Sequence, residues 1–176
     1  MVSEIRDARA VALGHPVHPM LIVFPVGLFV TAVVFDAIDV FGGSSVFGLV
    51  GYWDLTAGLV GAALAAVFGL VDWLGIRPGT RAKRVGALHG LGNVVVVVLF
   101  FVTWLVRTGD AAHTTTVPLF VVEVLAIALA SVTAWLGGEL VNRLGIGVHT
   151  DAHPDAPSSL SSREAGRTGH GRAAHA

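Results

Sequence analysis

Polar residues in this chain gather in short stretches, and between them run four apolar segments, each long enough to cross a bilayer. A hydrocarbon core about 30 Å thick takes roughly 20 helical residues at about 1.5 Å each. The segments run from about Met20 to Asp39, Trp53 to Trp73, Val85 to Leu105 and Val117 to Leu140. The run Val94–Val98 would read as a buried strand in a shorter segment. Here the surrounding apolar stretch is too long for a strand, and in lipid a backbone must satisfy its hydrogen bonds internally. The pattern therefore predicts an all-α fold, a four-helix transmembrane bundle.

Within that pattern, Trp53 and Trp73 stand one span apart, which predicts an indole ring at each interface. Pro25 removes a backbone donor inside the first span, which frees a carbonyl one turn earlier and predicts a kinked helix. The stretch HPVHP at His15–Pro19 holds two prolines that bar ordinary helix before Pro19 and set Pro19 in a first helical turn. Small residues four apart predict close helix approach: Gly61, Ala65 and Gly69 in the second span, and Ala126, Ala130, Ala134 and Gly138 in the fourth.

Composition agrees with a membrane setting. Apolar residues make up 54% of the 176 and charged ones 13%, about half the share of roughly 25% in soluble domains; mean hydropathy is +0.76. Cysteine is absent, which removes disulfides, iron–sulfur clusters and thiolate chemistry. Glu4 and Asp7 precede the first span and no small-residue cleavage site follows it, so it is expected to stay in the mature chain rather than act as a signal peptide. The charges divide the chain into an N-terminal segment (1–14), a four-span membrane domain (15–149) and a tail (150–176). The tail is rich in Ser, Gly, Ala and His and is expected to be disordered; His153, His170 and His175 are read as part of a solvated segment rather than a metal site.

The net charge of −1 matters less than where the charges fall. With four spans, Arg6, Arg9, Arg77, Arg81, Lys83, Arg84, Arg143, Arg163, Arg167 and Arg172 share a side, and only Arg107 lies on the other. The positive-inside rule then predicts that both termini and the Arg77–Arg84 loop are cytoplasmic. That basic loop is explained by topology and anionic lipid, so no nucleic-acid partner is expected.

Ionisable groups at membrane depth cost about 2.5–3.5 kcal/mol each on insertion scales, so each is a candidate for function. They fall in two layers. Near the predicted cytoplasmic face are His15, His18, Asp72, His89 and Glu139, with Asn93 one turn deeper than His89. Three imidazoles and a carboxylate at one depth could ligate a divalent metal through His15, His18, Asp72 and His89. Alternatively, His18 and His89 from different helices could be axial ligands of a haem b. The plainer alternative has His18 capping the first helix, His89 paired with Asp72, and His15 among the headgroups. Near the other face are Asp36, Asp39, Asp54 and Glu123. Asp39 and Asp54 are expected to be solvated. Glu123 shares a face with Ala126, Ile127 and Ala130, so it is expected to meet the bundle, where its carboxyl could be carried protonated as one end of a proton path.

Four stretches carry a resemblance: HPVHPMLIVFPVGL at His15–Leu28, FGLVDW at Phe68–Trp73, LHGLGN at Leu88–Asn93 and LGGELVNRLGIGV at Leu136–Val148. Together they resemble the bacterial predicted membrane proteins of the domain family DUF2231. The resemblance implies a four-span domain in the bacterial inner membrane, and the joining of some members to Rieske-type or cytochrome-like modules implies redox or metal work. Carried over by position, its motif residues are His15, His18, Asp72, His89, Asn93, Gly137 and Gly138. The last motif departs from the family pattern at Asn142 and Leu144, where a Tyr and a His are usual, so a ligand at that position is lacking here.

Three functions remain open. Binding of a metal ion or haem in an electron-transfer role stands first, an accessory subunit whose polar layer joins helices and a larger membrane complex second, and a small proton-coupled transporter third. No Ser/His/Asp order, phosphate-cradling glycine loop or zincin motif is present, so the chain is not expected to be an enzyme on its own. The expected partners are the bilayer, a redox or larger-complex protein, and a second copy of the chain.

Overall fold

The computed structural model describes residues 10–149 and 152–160. The charges at Arg6, Arg9, Arg163, Arg167 and Arg172 and the tail imidazoles His170 and His175 lie outside the described residues. Helix α1 (Val17–Leu21) runs into α2 (Val23–Gly42), and α3 (Ser45–Gly75), α4 (Arg81–Arg107) and α5 (Val117–Asn142) follow. Four spans, Val17–Gly42, Ser45–Gly75, Arg81–Arg107 and Val117–Asn142, are long and apolar enough to cross a membrane. Large apolar side chains such as Leu64, Val67, Leu125 and Val132 face outward on all sides, as they do in a bundle solvated by lipid.

The helices outrun the apolar segments that predict them. The second begins at Ser45, eight residues before Trp53, because helical hydrogen bonding continues past the interface until a residue ends it. Gly43 does so for α2: at φ 67° it is left-handed and its N–H donates to Asp39 O. Thr80 starts α4, its hydroxyl accepting from Lys83 N at 3.1 Å. The break between α1 and α2 falls at Ile22, beside Leu21, whose carbonyl Pro25 cannot serve. Before it, Val11–Ala12 (β1) pairs antiparallel with His15–Pro16 (β2).

Helix α2 lies antiparallel on α3 in constant register. Phe29, Asp36 and Asp39 of α2, and His18 of α1, face Gly58, Gly51, Gly48 and Gly69 respectively. Going back from Asp39 along the first span, the steps are three, seven and eleven residues, and equal steps lead forward along α3 from Gly48. These are helical repeats, so one glycine face of α3 receives one bulky face of the first span. A Cβ at Gly58 would fall 2.7 Å from Phe29 Cε1. The expected Gly61, Ala65 and Gly69 seam is part of this face.

The fourth-span seam is only half as expected. Ala126 is buried and Ala130 packs against the core, but Ala134 is exposed, and the contact passes to Thr133, Gly137 and Leu140. A four-residue stripe drifts around a helix with 3.6 residues per turn, whereas the seven-residue steps Ala126, Thr133 and Leu140 stay on one face.

Mid-bundle, Phe29, Ala32, Leu55, Val96, Phe100 and Ala126 form an apolar core, with Phe29 and Phe100 stacked at 4.2 Å. It separates two polar layers. Contacts are extensive within the α2–α3 and α4–α5 pairs and sparser between the pairs.

Candidate functional site

The polar layer at the His18 and His89 end of the spans is built from hydrogen bonds that tie helices together. His18 Nδ1 lies 2.8 Å from Ala65 O on α3, and His89 Nδ1 lies 2.8 Å from Thr133 O on α5. A carbonyl only accepts, so each Nδ1 carries a proton, and Nε2 is the nitrogen left for another partner. Asn93 Nδ2 donates to His89 Nε2 at 3.2 Å, and Thr133 Oγ1 donates to Asn93 Oδ1 at 2.8 Å. Gly69 and Gly137 give the two rings their room: a Cβ on Gly69 would fall 2.9 Å from His18 Nδ1, and one on Gly137 3.1 Å from His89 Cε1. The ring centres of His18 and His89 are 6.4 Å apart with planes at 88°.

Two of the four expected metal ligands are thus brought together. Asp72 Oδ1 accepts from Ala10 N at 3.1 Å, and His15 Nε2 faces Ser159 Oγ at 3.3 Å, both toward the N-terminal β1–β2 hairpin. Among the described residues, no group of three or more His, Cys, Asp or Glu side chains is arranged to hold a metal ion. The plainer sequence reading also needs correction. His18 reaches across to α3 instead of capping its own helix, and both ring nitrogens of His89 are taken by Thr133 and Asn93 rather than by Asp72. Glu139 sits at the rim, accepting from Arg81 Nη2 at 2.6 Å. Beside it, Lys83 Nζ donates to Trp73 O at 2.7 Å and lies over the Trp73 ring, closing the α3–α4 turn.

The opposite layer is charged and more deeply buried. Arg107, the one Arg or Lys of that end among the described residues, turns inward. Its Nη1 and Nη2 donate to Asp36 Oδ2 and Oδ1 at 2.8 and 3.0 Å, Nη2 also to Gly48 O at 2.6 Å, and Nε to His113 O at 3.0 Å. Asp36 and Glu123 are 0% exposed and Arg107 is 1% exposed. Glu123 Oε1 stands 3.5 Å from Arg107 Nη1, and neither of its oxygens has a hydrogen-bond partner.

Asp39, expected to be solvated, is buried and accepts from Thr115 N at 2.8 Å. The α4–α5 loop folds over the layer and needs an acceptor for that amide. Asp54 is half-exposed and accepts from Thr31 Oγ1 at 2.8 Å. His113 Nδ1 donates to Arg107 O at 2.8 Å, and its ring stacks on Tyr52 at 3.9 Å. At the loop's start, Asp110 accepts from the Thr114 hydroxyl and from the Thr114 and Ala112 amides, which holds its carboxyl below the usual carboxylate range.

Sequence reasoning missed Arg107 as the centre of this layer. The signal was present: one cation on its side of the bundle, at the depth of Asp36 and Glu123, with Gly48 and Gly51 at the three-residue spacing of Asp36 and Asp39. No curated protein and no solved structure matches this chain. A family model does match it over residues 14–150, taking in both polar layers and every span, and the chain belongs to that family, the predicted membrane proteins of DUF2231.

Proposed function

We propose that this membrane domain holds a haem or a metal ion between His18 and His89 and serves electron transfer within the bilayer. The observation that carries the reading is the paired imidazole geometry. Each ring spends its Nδ1 proton on a backbone carbonyl, which fixes its orientation and leaves Nε2 as the ligating atom. The two ring centres stand 6.4 Å apart, near enough for both imidazoles to serve one bound group. Two imidazoles would suit the iron of a haem b better than zinc, which takes about four ligands. Asn93, which holds the His89 lone pair, would turn aside on ligation. Bound iron would supply one-electron redox chemistry; the chain's part is to fix the imidazole tautomers and keep water out.

The test is metal content and absorption spectrum of the detergent-purified, untagged chain beside His18→Ala and His89→Ala. Near-stoichiometric iron, lost in both variants, is expected. Full occupancy in either variant, or a metal-free wild type from cells grown with adequate iron, overturns the reading. One observation favours a second reading, an accessory subunit: each imidazole already ties two helices, so the layer can serve as helix glue. Co-purification of a cofactor-free chain with a larger membrane complex would support it.

The same reading sets the domain at residues 15–149 in a bacterial inner membrane, with the termini and the tail from Thr150 in the cytoplasm. It rests on the gathering of Arg and Lys on one side. A C-terminal reporter active only outside the cytoplasm would reverse it.

A further inference from the structure

The buried layer around Arg107 is one donor short. Asp36 takes two guanidinium bonds, Gly48 O and His113 O take two more, and the remaining Nη1 hydrogen is left with Glu123 Oε1 at 3.5 Å. Two ionised carboxylates against one guanidinium would leave an uncompensated negative charge at a place with no exposure. The groups facing Glu123 are Asp36 from α2 and Arg107 and Thr103 from α4. Around them stand Asp39, Tyr52 and His113. The Thr103 hydroxyl already donates to Phe100 O at 2.9 Å, and the Asp39 carboxylate is held by Thr115 N. With that hydroxyl on Phe100 O and Arg107 Nη1 3.5 Å away, no close donor serves Glu123 as an ion. As a neutral acid it becomes a donor, and Asp36 is the acceptor within its reach.

We propose that Glu123 is a proton-binding site at the α4–α5 loop end of the bundle: one proton resides on its carboxyl, which donates to Asp36, and the site exchanges it with water beyond that loop. When the proton leaves, the guanidinium is shared between the two carboxylates, since Arg107 Nη1 already lies between them. The loop is the cover. His113 carries bonds to both the side chain and the backbone of Arg107 and stacks on Tyr52, and Thr115 N is tied to Asp39. Release of these contacts opens the site to the aqueous face. The site is independent of the His18–His89 pair, from which it is separated by the Phe29–Phe100 core.

The experiment is infrared difference spectroscopy of the full chain in lipid nanodiscs, titrated between acid and alkaline pH, with thermal unfolding measured in parallel. At neutral pH the wild type shows the carbonyl stretch of a protonated carboxylic acid, shifted in heavy water, and Glu123→Gln lacks it. Glu123→Gln also unfolds at the wild-type temperature, because its carboxamide donates to Asp36 as the acid does. Glu123→Ala, which removes that donor, unfolds lower. In Asp36→Asn, Arg107 is free to pair with Glu123 and the band disappears at neutral pH. A wild type without a Glu123-dependent band at neutral pH overturns the proposal. So does a Glu123→Gln variant destabilised as much as Glu123→Ala, the result expected if Glu123 is held as an ion by Arg107.

Discussion

The two polar layers of this bundle solve the same problem with different chemistry. At one end, the bonds of His18, His89, Asn93 and Thr133 run to backbone carbonyls and to one another. At the opposite end, Arg107 and Asp36 bring paired charge into the interior, and Glu123 beside them accepts no hydrogen bond. A neutral layer can lose a member at the cost of one hydrogen bond, whereas a charged layer that loses its cation keeps carboxylates it cannot solvate. The first is suited to hold a ligand that takes over a lone pair; the second is suited to change its charge by one proton.

That contrast sets the order of the expected effects. Arg107→Ala is the most damaging: stranding Asp36 beside Glu123 costs about 3–5 kcal/mol, read as a collapse of thermal stability in detergent. A variant as stable as wild type would show that the layer is already neutral. Gly69→Val comes next, because its side chain must displace the His18 ring from Ala65 O; overpacking of this kind costs about 1–3 kcal/mol. The same variant is expected to lose whatever cofactor the wild type carries, which a purely structural layer would not register. Thr133→Val removes the hydroxyl on Asn93 while keeping the shape, for a loss of about 0.5–1.5 kcal/mol. If it cost as much as Arg107→Ala, the two layers would not differ as argued. Arg81→Ala breaks the rim pair with Glu139, whose Arg side chain is 55% exposed, and is expected to change stability by about 0–1 kcal/mol. Any loss should shrink further in high salt.

How much of this was readable beforehand varied with the kind of interaction. Span number and approximate limits followed from apolar run length, and the Gly61, Ala65 and Gly69 part of the α3 face from small-residue spacing, because both are local properties of one helix. The depth layering was also legible, since depth follows from position along a span. What a side chain bonds to at that depth was not. His89 and Asp72 sit at matching heights on consecutive helices, yet His89 turns to α5, where Gly137 makes room for its ring and Thr133 offers a carbonyl. Asp39 reads as an interface residue until the loop after Arg107 folds over it.

The sequence by itself determined that this chain is a four-span membrane protein with polar groups confined to its two ends, because the bilayer rewards only long apolar helices and tolerates ionisable groups only near its faces. The tertiary structure decided which of those groups meet. Pairing depends on helix rotation and on which neighbour has a small residue opposite, and neither is encoded in the spacing along a single span. Rotation turned Asp36, Arg107 and Glu123 inward to a common point and brought the His18 and His89 rings close with their planes perpendicular, while Asp72 and His15 were left with the N-terminal hairpin and Ser159.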